Sequence, residues 1–214
     1  MLTVYGRSSS DNVQKVLWTL GETGQPFDHI PLGGAHGGLG DPNFTAMNPH
    51  RRVPTLKDGD AVVWESDAII RYVAAKYSCG ELWPAGTSER SQADQWMAWT
   101  LAHLYDDSNL LFWLTVRTPA GVQDSGRIHR VHTRLSARYR VLDQHLSGHE
   151  YVAGERFTMG DIPPGATLFR YFNLPIERRS HPNLERWYAR LCERKPFRDH
   201  VMVSFEELRG RLTY

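Results

Sequence analysis

Apolar and polar positions along the first third of the chain switch between the two-residue period of strands and the 3.6-residue period of helices. Leu2–Tyr5 alternates and is rich in β-formers, which predicts a first strand. The polar turn Gly6–Asn12 follows. Val13, Val16, Leu17 and Leu20 then recur at i, i+3, i+4 and i+7, the stripe of an amphipathic helix that ends near Gly24. Phe27–Leu32 reads as a second strand. A strand–helix–strand unit this short predicts a parallel pair with a right-handed crossover. Two more apolar runs, Pro54–Lys57 and Ala61–Trp64, flank Asp58-Gly59, a strong hairpin signal. Pro54 has no N–H to give a ladder and so belongs at the mouth of its strand. Ser66 stands as N-cap before a helix through Ile70, Val73, Ala74 and Tyr77. The pattern predicts a β-α-β-β-α domain over residues 1–78.

Beyond residue 78 the period is helical throughout. The turn-rich stretch 79–88 reads as a linker, and residues 89–214 as a second, all-helical domain. A long helix is predicted from Glu89 to Val116, with Met97, Leu101, Leu104 and Leu111 on one stripe, ended by Thr118-Pro119. A second spans Val122–Leu146, with Ile128, Val131, Leu135, Leu142 and Leu146 in register. Thr158 with Asp161 three residues on is a capping-box pattern, and Phe157 and Ile162 are spaced as a hydrophobic staple. Pro163-Pro164 is tolerated only in a first helical turn. Leu184, Trp187, Tyr188 and Leu191 mark a last helix.

Composition narrows the function classes. A net charge of +1 over 214 residues gives no bulk attraction to nucleic acid or membrane. No apolar run reaches the roughly 18 residues a membrane helix needs, and Met1 leads straight into a strand pattern, so a cytoplasmic setting is expected. Cys79 and Cys192 form no metal or redox pattern. His145 and His149 beside Glu150 lack a third ligand, and no metal is expected. The glycine-rich loop Gly33–Gly40 lacks the Gly-Lys-Ser/Thr of a phosphate loop and reads as a mobile loop beside the site. Arg127, Arg130, Arg134 and Arg138 form a basic stripe that reads as a solvated helix face.

The candidate chemistry gathers between Asn48 and Ser66. Val53, next to Pro54, offers an unpaired backbone N–H and C=O to an extended peptide, and the free N–H groups at Ser66 offer an anion site. With Asn48-Pro49, Arg52-Val53-Pro54-Thr55-Leu56 and Trp64-Glu65-Ser66-Asp67-Ala68-Ile69, this combination resembles the glutathione site of cytosolic glutathione transferases, in particular bacterial serine-type (theta- or nu-like) members. The resemblance extends to Gly154 and Asp161 and implies a thioredoxin-like domain followed by an all-helical one. It implies that Val53-Pro54 is cis, that Val53 pairs with the cysteinyl backbone of glutathione, and that Glu65 and Ser66 hold its γ-glutamyl group. It assigns the glycyl carboxylate to Arg51, with Arg52, His36 and His50 as the other cations near in sequence.

The same resemblance places a thiolate-stabilising hydroxyl in the first strand–helix turn. Counting back from Val16 puts Ser10 in that slot and Asn12 at the helix start, with Ser9 one residue of slip away. Tyr5 lies inside the strand, packed or pointing away. The electrophile site falls between this turn and the long helix, where His103, Tyr105, Asp106, Phe112 and Trp113 are candidates. The implied protein is a homodimer that attacks small apolar electrophiles with glutathione as co-substrate. Asp67, Arg71 and Tyr72 would face Arg90, Asp94 and Met97 across the two-fold axis. Alternatives are a glutathione-dependent peroxide or disulfide reductase, and a non-catalytic adaptor of the same fold. The turn has no cysteine for a glutaredoxin-type mechanism.

Overall fold

The computed structural model describes residues 1–213. Its first part runs β1 (Leu2–Tyr5), α1 (Asp11–Thr23), β2 (Phe27–Ile30), α2 (Pro42–Met47), β3 (Thr55–Asp58), β4 (Ala61–Trp64) and α3 (Ser66–Tyr77). The sheet order is β2-β1-β3-β4. β1 and β2 are parallel, and β3 is antiparallel to both β1 and β4. Val4 and Leu56 project from the sheet into a core with Val13, Val16, Leu17 and Leu20 of α1 and Ile69 and Val73 of α3, as the apolar periods require. This is the thioredoxin-like layout expected.

Two local expectations are corrected, and one helix is added. The hairpin turns on Gly59-Asp60, not Asp58-Gly59, because Asp58 pairs with Ala61 as the last ladder residue. Gly59 takes φ +59, a conformation that a side chain disfavours. Asp58 is retained in the ladder by Tyr72, Tyr77 and Lys76, whose Oη and Nζ atoms all donate to its Oδ2 at 2.8, 2.6 and 2.6 Å. At α3 the N-cap is Glu65 rather than Ser66, at φ +69, and Ser66 is the first helical residue. Helix α2 went unpredicted because only Phe44 of its six residues is buried, too little for a periodic signal. Its start is capped by Asp41 Oδ1, which accepts from Asn43 N at 2.8 Å and Phe44 N at 3.3 Å.

The second part holds α4 (Thr87–Trp99), α5 (Tyr105–Phe112), α6 (Ser125–His145), α7 (Ile162–Phe172), α8 (Pro182–Glu193) and α9 (Lys195–His200). α4 and α5 form one helical rod with two wide, five-residue turns at Thr100–Leu104 and Trp113–Arg117. Leu101 sits in the first wide turn and is 59% exposed, so the buried stripe is Met97, Leu104 and Leu111 without it. The box at α7 forms as expected. Thr158 N donates to Asp161 Oδ2 at 2.9 Å, Gly160 N donates to Thr158 Oγ1 at 3.3 Å, and Pro163-Pro164 occupies the first turn.

The two parts meet along α1. Trp18 leaves the sheet core to pack edge-on against Phe197, with centroids 4.7 Å apart, and beside Phe157 at 5.5 Å. Its indole N–H donates to Glu22, which also takes a forked pair from Arg194 at 2.8 and 2.7 Å. Several groups expected at a two-fold axis are used within the chain. Arg71 pairs with Asp94 at 2.6 Å, Tyr72 with Asp58, and Asp67 with Lys15, while Met97 is fully buried.

Candidate active site

The turn between β1 and α1 closes when Ser10 N donates to Arg7 O at 3.1 Å. Gly6, at φ +154, opens it. A Cβ there would fall 2.4 Å from a Val13 methyl and 3.1 Å from Val53, so glycine lets the turn lie directly against the proline loop. Ser8 is exposed, while Ser9 and Ser10 are 3% and 8% exposed. The Ser9 hydroxyl is enclosed and unpartnered, and its carbonyl accepts from Arg170 Nη2 at 2.6 Å. Ser10 is the N-cap residue of α1, yet its side chain makes no capping bond. Tyr5 packs toward Phe44, away from the turn.

Asn12 links three elements. Its Nδ2 donates to Tyr105 Oη at 2.9 Å, and its Oδ1 accepts from Ser66 Oγ at 3.2 Å. Ser66 Oγ in turn accepts from Lys15 Nζ at 3.4 Å. Lys15 is 3% exposed, lies 3.5 Å from the Asp67 carboxylate and sits 4.9 Å over the Tyr105 ring. The Lys15–Asp67 pair is neutral overall, so the partial positive charge at this corner comes from the free N–H groups that open α3. Burial and the nearby Asp11 carboxylate push the Tyr105 hydroxyl well above the usual phenol range, so it stays a neutral donor at physiological pH.

The proline loop is shaped by Asn48, 2% exposed, which was matched in sequence but given no role there. Its amide N donates to Arg52 O at 2.9 Å and Thr55 Oγ1 at 3.0 Å, and its Oδ1 accepts from His50 N. Val53-Pro54 is cis. Val53 makes no backbone hydrogen bond among the described residues. Arg51 is exposed at φ +53, Pro54 is buried, and Glu65 is exposed next to Ser66. Of the electrophile-site candidates, Tyr105 reaches the turn through Asn12. Phe112 reaches it through Arg170, whose guanidinium lies 4.3 Å over the Phe112 ring and 3.8 Å from Asp11. Trp113 instead carries Arg117 on its face at 3.7 Å, Asp106 is exposed, and exposed His103 lies beside Trp99.

Residues 4–83 match the family described as glutathione S-transferase, N-terminal domain, and residues 111–195 the corresponding C-terminal domain. Glutathione S-transferase GstB of Escherichia coli (strain K12) is 37% identical over 205 residues, 95% of this chain and 99% of that one. The chain belongs to the glutathione S-transferase family. Glutathione S-transferase 3 of Zea mays is 31% identical over 94% of this chain and 93% of its own. The theta-class glutathione S-transferase of Xanthomonas axonopodis pv. citri, solved with glutathione bound, superposes with a TM-score of 0.91 at 42% identity, over 95% of this chain and 98% of that one.

Within this transferase fold, Lys15 and Arg170 are the site residues that sequence reasoning missed. Lys15 shares its face of α1 with Asp11, Asn12, Thr19 and Glu22, a polar setting that gives no sequence signal of its burial. Arg170 lies 161 positions beyond Ser9 and left no local signal.

Proposed function

We propose that this glutathione S-transferase binds glutathione extended along Val53, seats its γ-glutamyl carboxylate at Ser66 beside Glu65, and holds its sulfur as a thiolate at the Ser10 hydroxyl. The observation that carries this is how the turn's polar groups are used. Asn12 is committed at both ends, and the Ser9 hydroxyl is enclosed, whereas the Ser10 side chain spends no bond on capping. A hydroxyl can donate to S⁻ without carrying charge, and the start of α1 adds partial positive charge. The exposed Arg51 side chain is left to meet the glycyl carboxylate.

The energetics assign a second task to the helical domain. A free thiol with a pKa near 8.5 is about 3% ionised at pH 7. Lowering that by roughly two units needs about 2.7 kcal/mol, within reach of one charged hydrogen bond plus a helix dipole. Thiolate then rises about 25-fold, but its nucleophilicity falls perhaps 8-fold on a thiol-exchange slope. Most acceleration must come from holding a small apolar electrophile against the sulfur. Tyr105, partly buried beside the turn, is placed to form part of the wall that holds the electrophile, whereas Phe112 is covered by the Arg170 guanidinium. A cytoplasmic homodimer completes the reading.

The test is the pH dependence of thiolate absorbance with glutathione bound, in wild type and in Ser9→Ala, Ser10→Ala and Asn12→Ala. Ser10→Ala should raise the bound thiol's pKa by about one unit, equivalent to roughly 1.4 kcal/mol, and leave glutathione affinity nearly unchanged. A wild-type titration in Ser10→Ala, with a shift in either of the other two, would move the role to that residue. No shift in any variant would leave backbone N–H groups as the source of activation.

A further inference from the structure

A cavity of about 580 Å³ opens between α6 and the 176–181 segment that joins α7 to α8. It shares no residue with the first turn, the proline loop or the start of α3. Its size falls within the range of small-molecule sites and far exceeds what a bare inorganic anion fills. Its charge is one-sided. Arg140, Arg178 and Arg179 line it with three histidines, against the single carboxylate of Glu177.

The cations divide into held and unheld. Arg178 is spent on the loop, with Nη1 donating to Leu174 O at 3.0 Å and, more weakly, to Tyr171 O and Ile176 O at 3.4 Å. Two of the three histidines are oriented from inside the fold. His181, 7% exposed, meets Ser136 Oγ at 3.3 Å, and His132 meets Tyr171 Oη at 3.2 Å. Arg140 and Arg179 make no hydrogen bond or ion pair among the described residues, and both stand at the cavity's exposed rim. Ile128, Ala137 and Ile176 add apolar surface to the same cavity.

We infer that this cavity binds a phosphorylated small organic molecule, its phosphate between Arg140 and Arg179 and its organic body against Ile128, Ala137 and Ile176. Arginine is the side chain whose fork matches a phosphate's oxygens. Two uncommitted guanidiniums facing a dianion give more attraction than either would offer a single carboxylate. The local potential agrees. His132 is held below the usual imidazole range by burial first, and then by the positive neighbours His129, Arg178, Arg179 and His181. An anion in the cavity would relieve that repulsion.

The experiment is calorimetry on the full chain without glutathione, using adenosine 5′-monophosphate, inorganic phosphate and adenosine as probes. The nucleotide should bind saturably at one site per chain with a dissociation constant below about 1 mM, at least tenfold tighter than either of its parts. The double variant Arg140→Ala/Arg179→Ala should weaken nucleotide binding at least tenfold, with glutathione conjugation and the unfolding midpoint unchanged. Because both arginines are exposed and unpaired, the variant should fold. Inorganic phosphate binding as tightly as the nucleotide would overturn the organic-ligand assignment. Adenosine binding as tightly would overturn the role of charge. No saturable binding by the nucleotide, or binding that survives the double variant, would overturn the site. Conjugation activity reads the transferase site separately, so failure of one reading does not imply failure of the other.

Discussion

Lys15 shows how one side chain can serve both folding and binding. Its ammonium and the Asp67 carboxylate are 4% and 12% exposed, so removing one partner strands a buried charge. Lys15→Met should therefore destabilise the chain by about 3–5 kcal/mol, and adding Asp67→Leu should restore most of that loss. Chemical denaturation of the two variants measures this. The double variant separates stability from binding. If Lys15 supports the γ-glutamyl carboxylate through Ser66, the refolded double variant should still bind glutathione severalfold more weakly than wild type. These residues also show what the sequence conceals. The cis Val53-Pro54 bond and the helix start beside Ser66 were legible because both are features of the local chain. Lys15 was not, because a lysine on a helix ordinarily reaches solvent, and this one is covered by α3 and Tyr105, which lie far along the chain. The turn serines could be ranked only by register, with Ser10 first, and the contact that holds the Ser9 carbonyl, from Arg170 of α7, had no trace in the local sequence.

At the scale of elements, two buried or clamped carboxylates give opposite pH signatures. Asp58 ties the β3–β4 hairpin to α3. Although its partial burial acts to raise its pKa, donation from Lys76, Tyr77 and Tyr72 prevails and holds it at about 2, below the ordinary 3.8. The unfolded chain binds this proton more readily, so the clamp's contribution is complete above pH 4 and is lost as pH falls toward 2. Asp58→Asn should lower stability by about 1–3 kcal/mol at neutral pH, the range for charged hydrogen bonds, and the gap from wild type should close toward pH 2. Asp161, in the box that opens α7, behaves inversely. Complete burial raises its pKa to about 7, although the N–H groups of Val152, Thr158 and Trp187 pull it down. Here the native state binds the proton more readily, so this contribution is complete below about pH 4 and is lost as pH rises to 7. Stability of wild type relative to Asp161→Asn should therefore decline across that window. A flat difference in denaturation midpoints would contradict it. Most elements were legible because their apolar periods are long. Short α2 lacked a period, and Leu101 fell in a wide turn whose i→i+5 bonding the 3.6-residue rule does not describe.

On the scale of the whole molecule, the two architectures are joined by α1. Trp18 and the Glu22–Arg194 fork fasten it to α9, and Arg170 fastens the turn before it to α7. A homodimer remains expected, but through groups other than the Arg71–Asp94 and Lys15–Asp67 pairs, which are satisfied within one chain. Sedimentation at micromolar concentration should give twice the 24.5 kDa chain mass, and a monomer would refute this. The Arg170 bond has a consequence for the order in which the protein becomes useful during synthesis. The strands and helices around the first turn leave the ribosome early, yet the residue that fixes the Ser9 carbonyl follows 161 positions later. At translation speeds of about 5–20 residues per second, the first part can be made and folded for roughly 8–30 seconds before that fastening exists. Through that interval the turn is held by the local Ser10 N–Arg7 O bond without the Arg170 fastening. If the proposed thiol site depends on this bond, competence to activate glutathione should arrive only once α7 has been made and docked.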